Sequence, residues 1–164
     1  TCVPPPLTLE IIPRSRWCPF TPRSLSVSPH RPGDFHTVHW FGPGTPAGDR
    51  AGEIAQCVGF ARYHQFTLGW SFFAYSYAIL SDGTVLEGRG DNVYAAHAGH
   101  SGANAKPGIL LMAGTGQPRP TDRALEVLQE LRRVKQWGRR YMHSEWSSTA
   151  CPGPFLNGWV RSHR

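Results

Sequence analysis

His143 and Cys151 lie eight positions apart late in the chain, a spacing that can bring an imidazole and a thiol to one ion. His143 closes a short β-run, Arg140 to His143, and Cys151 stands directly before Pro152-Gly153-Pro154, a segment stiff enough to hold a sulfur in place. A thiolate and neutral imidazoles are zinc donors, bound at about 2.0–2.3 Å in a tetrahedron. Four protein donors make a closed structural centre, whereas three leave a position for water and substrate. The sequence offers no Cys-x-x-Cys or His pair to close such a centre, which argues against a nucleic-acid-binding domain built on structural zinc. The third donor must come from elsewhere, and His39, at the C-terminal end of an early β-run, is the best placed. His36 competes with it, but three positions along a strand it faces the other way.

The elements that must position these groups can be read from pattern. Phe35 to Phe41 (FHTVHWF) is β-branched and aromatic and ends at Gly42-Pro43-Gly44, a strand followed by a loop. Gly52 to Phe66 carries Ile54, Val58, Ala61 and Gln65 near helical spacing, with Cys57 close to the buried face. Tyr75 to Leu80 is a second strand; Ser81-Asp82-Gly83-Thr84 turns it back onto Val85-Leu86-Glu87. On that reading Tyr75 and Tyr77 share one face. Gly108 to Ala113 is a third apolar run of strand length. Thr121 is placed to cap a helix reaching about Trp137, with Leu125, Leu128, Leu131 and Val134 near one face. A short helix around Leu156–Val160 ends the chain. Strands and helices interleave, which predicts an α/β fold: one domain with a central mixed β-sheet flanked by helices.

The 164 residues suit one such domain, with residues 1–10 as a tail and 11–164 as the folded unit. Fifteen prolines and eighteen glycines imply long loops, among them a Pro-rich wrap over residues 19–33. The net charge of +6 favours an anionic partner. Arg132, Arg133, Lys135, Arg139 and Arg140 cluster late, more as a solvated face than as a docking surface, and no DNA-reading motif accompanies them. There is no apolar run of about 18 residues to span a membrane. The N-terminus lacks a basic segment followed by an apolar one, so no secretory leader is predicted. Four cysteines do not form a disulfide framework; a Cys2–Cys18 bridge is conceivable under oxidising conditions, and Cys57 reads as core.

Four separate motifs together resemble one family. Val38-His39-Trp40-Phe41-Gly42 is similar to the first metal-binding strand of the type 2 N-acetylmuramoyl-L-alanine amidase and peptidoglycan recognition protein superfamily. Tyr75 through Gly90, with its tyrosine, Asp82-Gly83 and Glu87-Gly88-Arg89, resembles that superfamily's central hairpin. Ala96-His97-Ala98-Gly99 through Asn104, with Gly108-Ile109 beyond, resembles its next segment. His143 through Thr149-Ala150-Cys151-Pro152-Gly153 resembles its last metal segment. The order holds from about Ile11 to Trp159, Ile12 to Trp17 looks like the family's opening segment, and the phage-endolysin branch looks nearest.

The resemblance implies a zinc amidase that cuts the bond between N-acetylmuramic acid and L-alanine in bacterial peptidoglycan, with Zn2+ on His39, His143 and Cys151. In non-catalytic relatives that bind the wall the cysteine is typically lost; here Cys151 is present. The resemblance further implies roles beside the metal for Tyr75, as donor to an oxyanion or orienter of water, and for Thr149, which stands where several relatives carry a lysine. Glu145 is a candidate acid/base or a group that holds a ligand in place. His97 and Asn104 are expected to line the substrate groove, and Arg89 to meet a stem-peptide carboxylate unless it pairs with Glu87 or Asp91. Gly90-Asp91 after that arginine matches neither common pattern for the diamino acid. The expected partners are the glycan strand and stem peptide, engaged by a monomer. A phage lysin would be made in the host cytoplasm without a signal peptide, whereas an autolysin would be secreted.

Overall fold

The computed structural model describes residues 7–164. In chain order the elements are β1 (Ile11–Ile12), α1 (Arg14–Trp17), β2 (His36–Gly42), α2 (Arg50–Arg62) running on into a π-helical stretch (Tyr63–Thr67), β3 (Tyr77–Ile79), β4 (Val85–Glu87), α3 (Ser101–Asn104), β5 (Gly108–Gly114), α4 (Asp122–Lys135), β6 (Arg140–Met142), a 3-10 turn (His143–Glu145) and α5 (Gly153–Ser162). They build one six-stranded sheet in the order β1-β4-β3-β5-β2-β6. The β3–β4 hairpin is antiparallel and every other pairing is parallel, so the sheet is mixed as the sequence predicts.

Alternation along β2 sends its even positions to one side and its odd positions to the other. Val38 and Trp40 pack with Leu125, Leu128 and Leu131 of α4 and Leu156 and Val160 of α5. The opposite core joins Cys57 and Ala61 of α2 to Ala78, Leu110 and Met112. Strand β5 is buried along its whole length, as expected of a parallel strand covered on both faces.

Helix α4 forms where the capping signals place it. The Thr121 hydroxyl accepts from Ala124 N–H at 3.1 Å and donates to Ser81 O at 2.5 Å, which also ties the helix start to the hairpin turn. Gln136 ends the helix in the left-handed region at φ 57°. Its basic residues are mostly committed. Arg132 reaches the carbonyls of Trp137, His163 and Arg164, Arg133 pairs with Glu130, and Lys135 pairs with Asp91. Arg140 is fully buried, bonded to His36 Nε2, His163 O and Gln129 Oε1, and burial lowers its pKa to about 9. The late basic cluster therefore works largely within the fold.

Two elements differ from the sequence-based reading. The α2 helix starts earlier, at an Asp49 cap that accepts from Gly52 N–H, and it gives way to π-helical backbone after Arg62. Strand β3 begins at Tyr77, because the Tyr75 and Ser76 carbonyls accept from Arg89 N–H and from Gly88 and Gly90 N–H. A Cβ at Gly88 would sit 2.2 Å from the Tyr75 carbonyl oxygen, so glycine permits this approach. Tyr75 and Tyr77 consequently face opposite sides: Tyr77 packs beside Trp137, Tyr75 beside His39. Cys57 lies in the core, as expected. Cys2 lies outside the described residues, so the proposed bridge to Cys18 falls there too.

Glu53 is a fully buried carboxylate that the periodicity of α2 does not announce. It accepts from Gly48 N–H (2.9 Å), Ser81 N–H (2.7 Å) and Ser81 Oγ (2.6 Å), pinning α2 to the β3–β4 turn. Glu53→Ala strands those donors in an apolar setting and is expected to lower stability by about 3 kcal/mol, read by urea unfolding. A loss below about 0.5 kcal/mol would contradict this account.

Candidate metal centre

Parallel register builds the site. Val38 of β2 pairs with Met142 of β6, so the next residues, His39 within β2 and His143 just past the end of β6, lie side by side, with ring centroids 4.6 Å apart. The 3-10 turn carries His143, and Ser144 N–H donates to the Cys151 carbonyl at 3.1 Å, drawing the last loop back onto it. Gly153, at φ +88°, begins α5 against the Trp40 ring, which a Cβ would meet at 2.3 Å. Trp40 N–H donates to Cys151 Sγ at 3.4 Å.

One donor atom each from His39, His143 and Cys151 lies within 4.8 Å of the others. His39 Nδ1 and Cys151 Sγ are 3.6 Å apart. Bonds of about 2.0–2.3 Å in a tetrahedron give an N···S edge of about 3.6 Å, so the donors fit a shared divalent ion. His39 is fully buried and Cys151 nearly so, while His143 is half-buried, which leaves the cluster open on the His143 side.

The surroundings set protonation. Burial, then the neighbouring His97 and His143, hold His39 well below the usual histidine range. Burial also lowers His143, against the Ala98 carbonyl, which favours its charged form. Burial pushes the Cys151 thiol up to about 12, although Trp40 N–H works the other way. The site without an ion thus holds two neutral imidazoles and a protonated thiol at neutral pH. Tyr75 packs edge-on against His39 at 5.1 Å and beside His64 at 6.1 Å. Burial, with Cys151 and Cys57 nearby, raises its pKa, so the phenol stays protonated and able to donate.

The other expected site residues fall in different places. Thr149 is exposed, and its Oγ1 accepts Cys151 N–H at 3.2 Å. Glu145, a candidate acid/base by sequence, has a committed carboxylate: it accepts Met142 N–H and a two-pronged ion pair from Arg164. Burial works to raise its pKa, yet the Arg164 and Met142 hydrogen bonds outweigh that and hold it low. His97 does not line a groove. It is buried behind His39, with Nδ1 2.8 Å from His39 Nε2 and Nε2 2.9 Å from Lys106 O. Arg89 pairs with neither Glu87 nor Asp91, and it borders the open pocket that Asn104 also lines. It is buried, donating to the carbonyls of Phe72, Phe73 and Tyr94, while Glu87 lies beside Arg14 and Asp91 pairs with Lys135. Asn104 holds Ala98 N–H through Oδ1 and lines an open pocket of about 310 Å³ with Ser24, Ser26, Trp70 and Tyr94. His36 stacks on Trp137 on the far face of the sheet, away from the cluster.

Sequence reasoning missed His64. Its Nδ1 accepts Ala74 N–H at 3.1 Å, and its ring lies between Trp70 and Tyr75. No motif signals it, since its partners are backbone and aromatic faces.

The homologues and structural neighbours of this chain place it in the N-acetylmuramoyl-L-alanine amidase and peptidoglycan recognition protein superfamily. It is 32% identical over 125 residues to human N-acetylmuramoyl-L-alanine amidase, covering 73% of this chain and 21% of that protein. It is 34% identical over 126 residues to mouse peptidoglycan recognition protein 1, covering 74% and 65%. The chain thus spans about a fifth of the amidase and just under two-thirds of the recognition protein. Among solved structures, bumblebee PGRP-SA superposes with a TM-score of 0.82 at 27% identity, covering 94% of this chain and 95% of that one. A point mutant of Drosophila PGRP-LB in complex with tracheal cytotoxin shares the fold at a TM-score of 0.84, with 23% identity and 93% coverage of each chain. No family model matches the chain.

The protonation pattern has a measurable consequence. A metal needs the thiolate and bare imidazole nitrogens. With both imidazoles already neutral, binding a divalent ion at about pH 7 should release about one proton, from Cys151, and affinity should rise with pH. Calorimetry in buffers of different ionisation enthalpy measures this. Release of about three protons would mean that the imidazoles are charged beforehand.

Proposed function

We propose that the chain hydrolyses the amide bond between N-acetylmuramic acid and L-alanine in bacterial peptidoglycan, using Zn2+ held by His39, His143 and Cys151. The observation that carries this reading is the three-donor cluster, spaced for one tetrahedral ion and open on one side. The homologues named as amidases support it, as does the presence of Cys151 itself. Zinc held there would supply a Lewis acid and would lower the pKa of a water to about 7.

The chain's own residues do the rest. The two neutral imidazoles and one thiolate leave the centre net positive, which favours the negative charge that develops on the scissile carbonyl oxygen. Tyr75, protonated and next to His39, donates a hydrogen bond to that oxygen. Thr149 accepts a backbone N–H, so its own hydroxyl proton remains available to a substrate at the rim. Glu145 acts as a positioning group, anchoring the turn that bears His143 through Met142 N–H and Arg164. We assign the stem peptide to the pocket lined by Asn104, Arg89, Trp70 and Tyr94. We place the reaction on the bacterial wall with the protein as a monomer, after release from the host cytoplasm for a phage lysin or outside the cell for a secreted enzyme. Among the described residues, no helix is long and apolar enough to cross a membrane.

A second reading, wall recognition without hydrolysis, is favoured by one observation: Glu145 is committed to Arg164 and cannot serve as the acid. Mouse peptidoglycan recognition protein 1 among the homologues is in keeping with it.

Digestion of purified sacculi separates the two. Hydrolysis should free N-terminal alanine, create no new reducing sugar ends, stop with a chelator and return with zinc. New reducing ends would indicate a glycosidase, and sacculus binding without product would support recognition alone. Cys151→Ser should keep wall binding and lose at least about 100-fold in activity, and Tyr75→Phe should lower kcat by about 10²–10³-fold. Unchanged lysis by Cys151→Ser would remove the metal mechanism.

A further inference from the structure

We propose that His97 is a positioning residue that fixes the tautomer of His39, so that His39 presents a bare Nδ1 to the metal. This rests on the metal centre described above, though not on amide hydrolysis. His97 is 4% exposed and is bonded to His39 and to a backbone carbonyl, so it acts through His39 rather than on a substrate.

The assignment follows from one fixed acceptor. A backbone carbonyl can only accept, so the 2.9 Å contact between His97 Nε2 and Lys106 O requires the proton on Nε2. A neutral imidazole carries one N–H, so His97 Nδ1 is bare. The ring is buried and its partners are an imidazole and a carbonyl, so no anion offsets the cost of charging it. His39 Nε2, 2.8 Å from that bare nitrogen, must then donate to it. With its ring proton committed to that bond through Nε2, His39 leaves Nδ1 for an ion, and Nδ1 is the atom that faces Cys151 Sγ at 3.6 Å. Without His97 a proton could equally sit on His39 Nδ1, where the ion must go, held there by the sulfur.

The relay is anchored at its far end. Lys106 N–H donates to Ala103 O, Lys106 Nζ pairs with Asp34 at 2.6 Å, and the following carbonyl, of Pro107, accepts Thr37 N–H from β2. The His97 ring fits only because position 108 lacks a side chain. A Cβ on Gly108 would lie 2.3 Å from His97 Cγ and 2.7 Å from its Nδ1, contacts no ring can accept. The start of β5 is thus shaped around the ring, and β5 lies beside β2, which carries His39.

Nitrogen-15 NMR of the zinc-loaded wild-type protein reads both tautomers directly. Protons on Nε2 of both His39 and His97 are expected; a proton on His97 Nδ1 would overturn the proposal, and this measurement needs no variant. Competition with a chromophoric chelator supplies the second readout, without substrate. His97→Leu should weaken zinc binding by about 10–100-fold, and Gly108→Ala, which displaces the ring without removing it, should weaken it as well. His97→Asn, whose Oδ1 can accept in place of Nδ1, should restore affinity to within a few-fold of wild type. Equal losses in the Leu and Asn variants, or none in either, would mean that His97 is packing alone. Zinc binding that depends on His97 in a protein that frees no alanine would leave this inference standing and remove the hydrolytic one.

Discussion

The parallel pairing of β2 with β6 is the constraint from which the site follows. Because Val38 stands opposite Met142, the next residue on each side is a histidine: His39 continues β2, and His143 follows the last residue of β6. An antiparallel pairing would send the ends of these strands to opposite edges of the sheet. Parallel strands also need long crossovers. The chain between β2 and β6 contains the hairpin, β5 and α4, so the two imidazoles are drawn from distant stretches of sequence. The third donor comes from the loop that turns back to start α5, and Gly153 can approach the Trp40 ring because it has no side chain.

The environment of the cluster is apolar, and that decides its chemistry. Burial keeps both imidazoles uncharged and the thiol protonated, so the protein spends little on holding charges apart before an ion arrives. The same dryness raises Tyr75 and keeps its hydroxyl a donor. The charged groups near the site are turned to structural use instead. Glu145 and Arg164 brace the turn after β6, and Arg89 spans three carbonyls of the loops before β3 and after β4.

Much of the fold was legible because local signals agreed with it: the alternation of β2, the Asp-Gly turn, the Thr121 cap and the leucine face of α4. The donors His39, His143 and Cys151 could be picked out by residue type, by the two β-runs that carry the histidines and by the proline-flanked loop that carries the cysteine. What was not legible depends on contacts far apart in the chain. Sequence does not reveal that the Phe72, Phe73 and Tyr94 carbonyls converge on Arg89. His97 looked like a groove residue because its true partner lies 58 positions away. The small residues Ala96, Ala98 and Gly99 around it were the one hint of close packing. The alternation rule misplaced Tyr75 relative to Tyr77 because the hairpin loses its regular ladder at Gly88, a distortion set by a backbone approach rather than by side-chain pattern.

The separation of the donors carries a mechanical consequence. His39 and Cys151 stand 112 positions apart, and an ion shared between them would staple most of the domain into a single ring. In the chain-entropy view a cross-link closing a ring of that size disfavours the unfolded chain by on the order of 4–5 kcal/mol, a large part of what holds a small domain together. Such a clasp would make the centre a structural rivet as well as a chemical tool. Stripping the ion would then loosen the C-terminal helix that follows the cysteine before any substrate was present to notice.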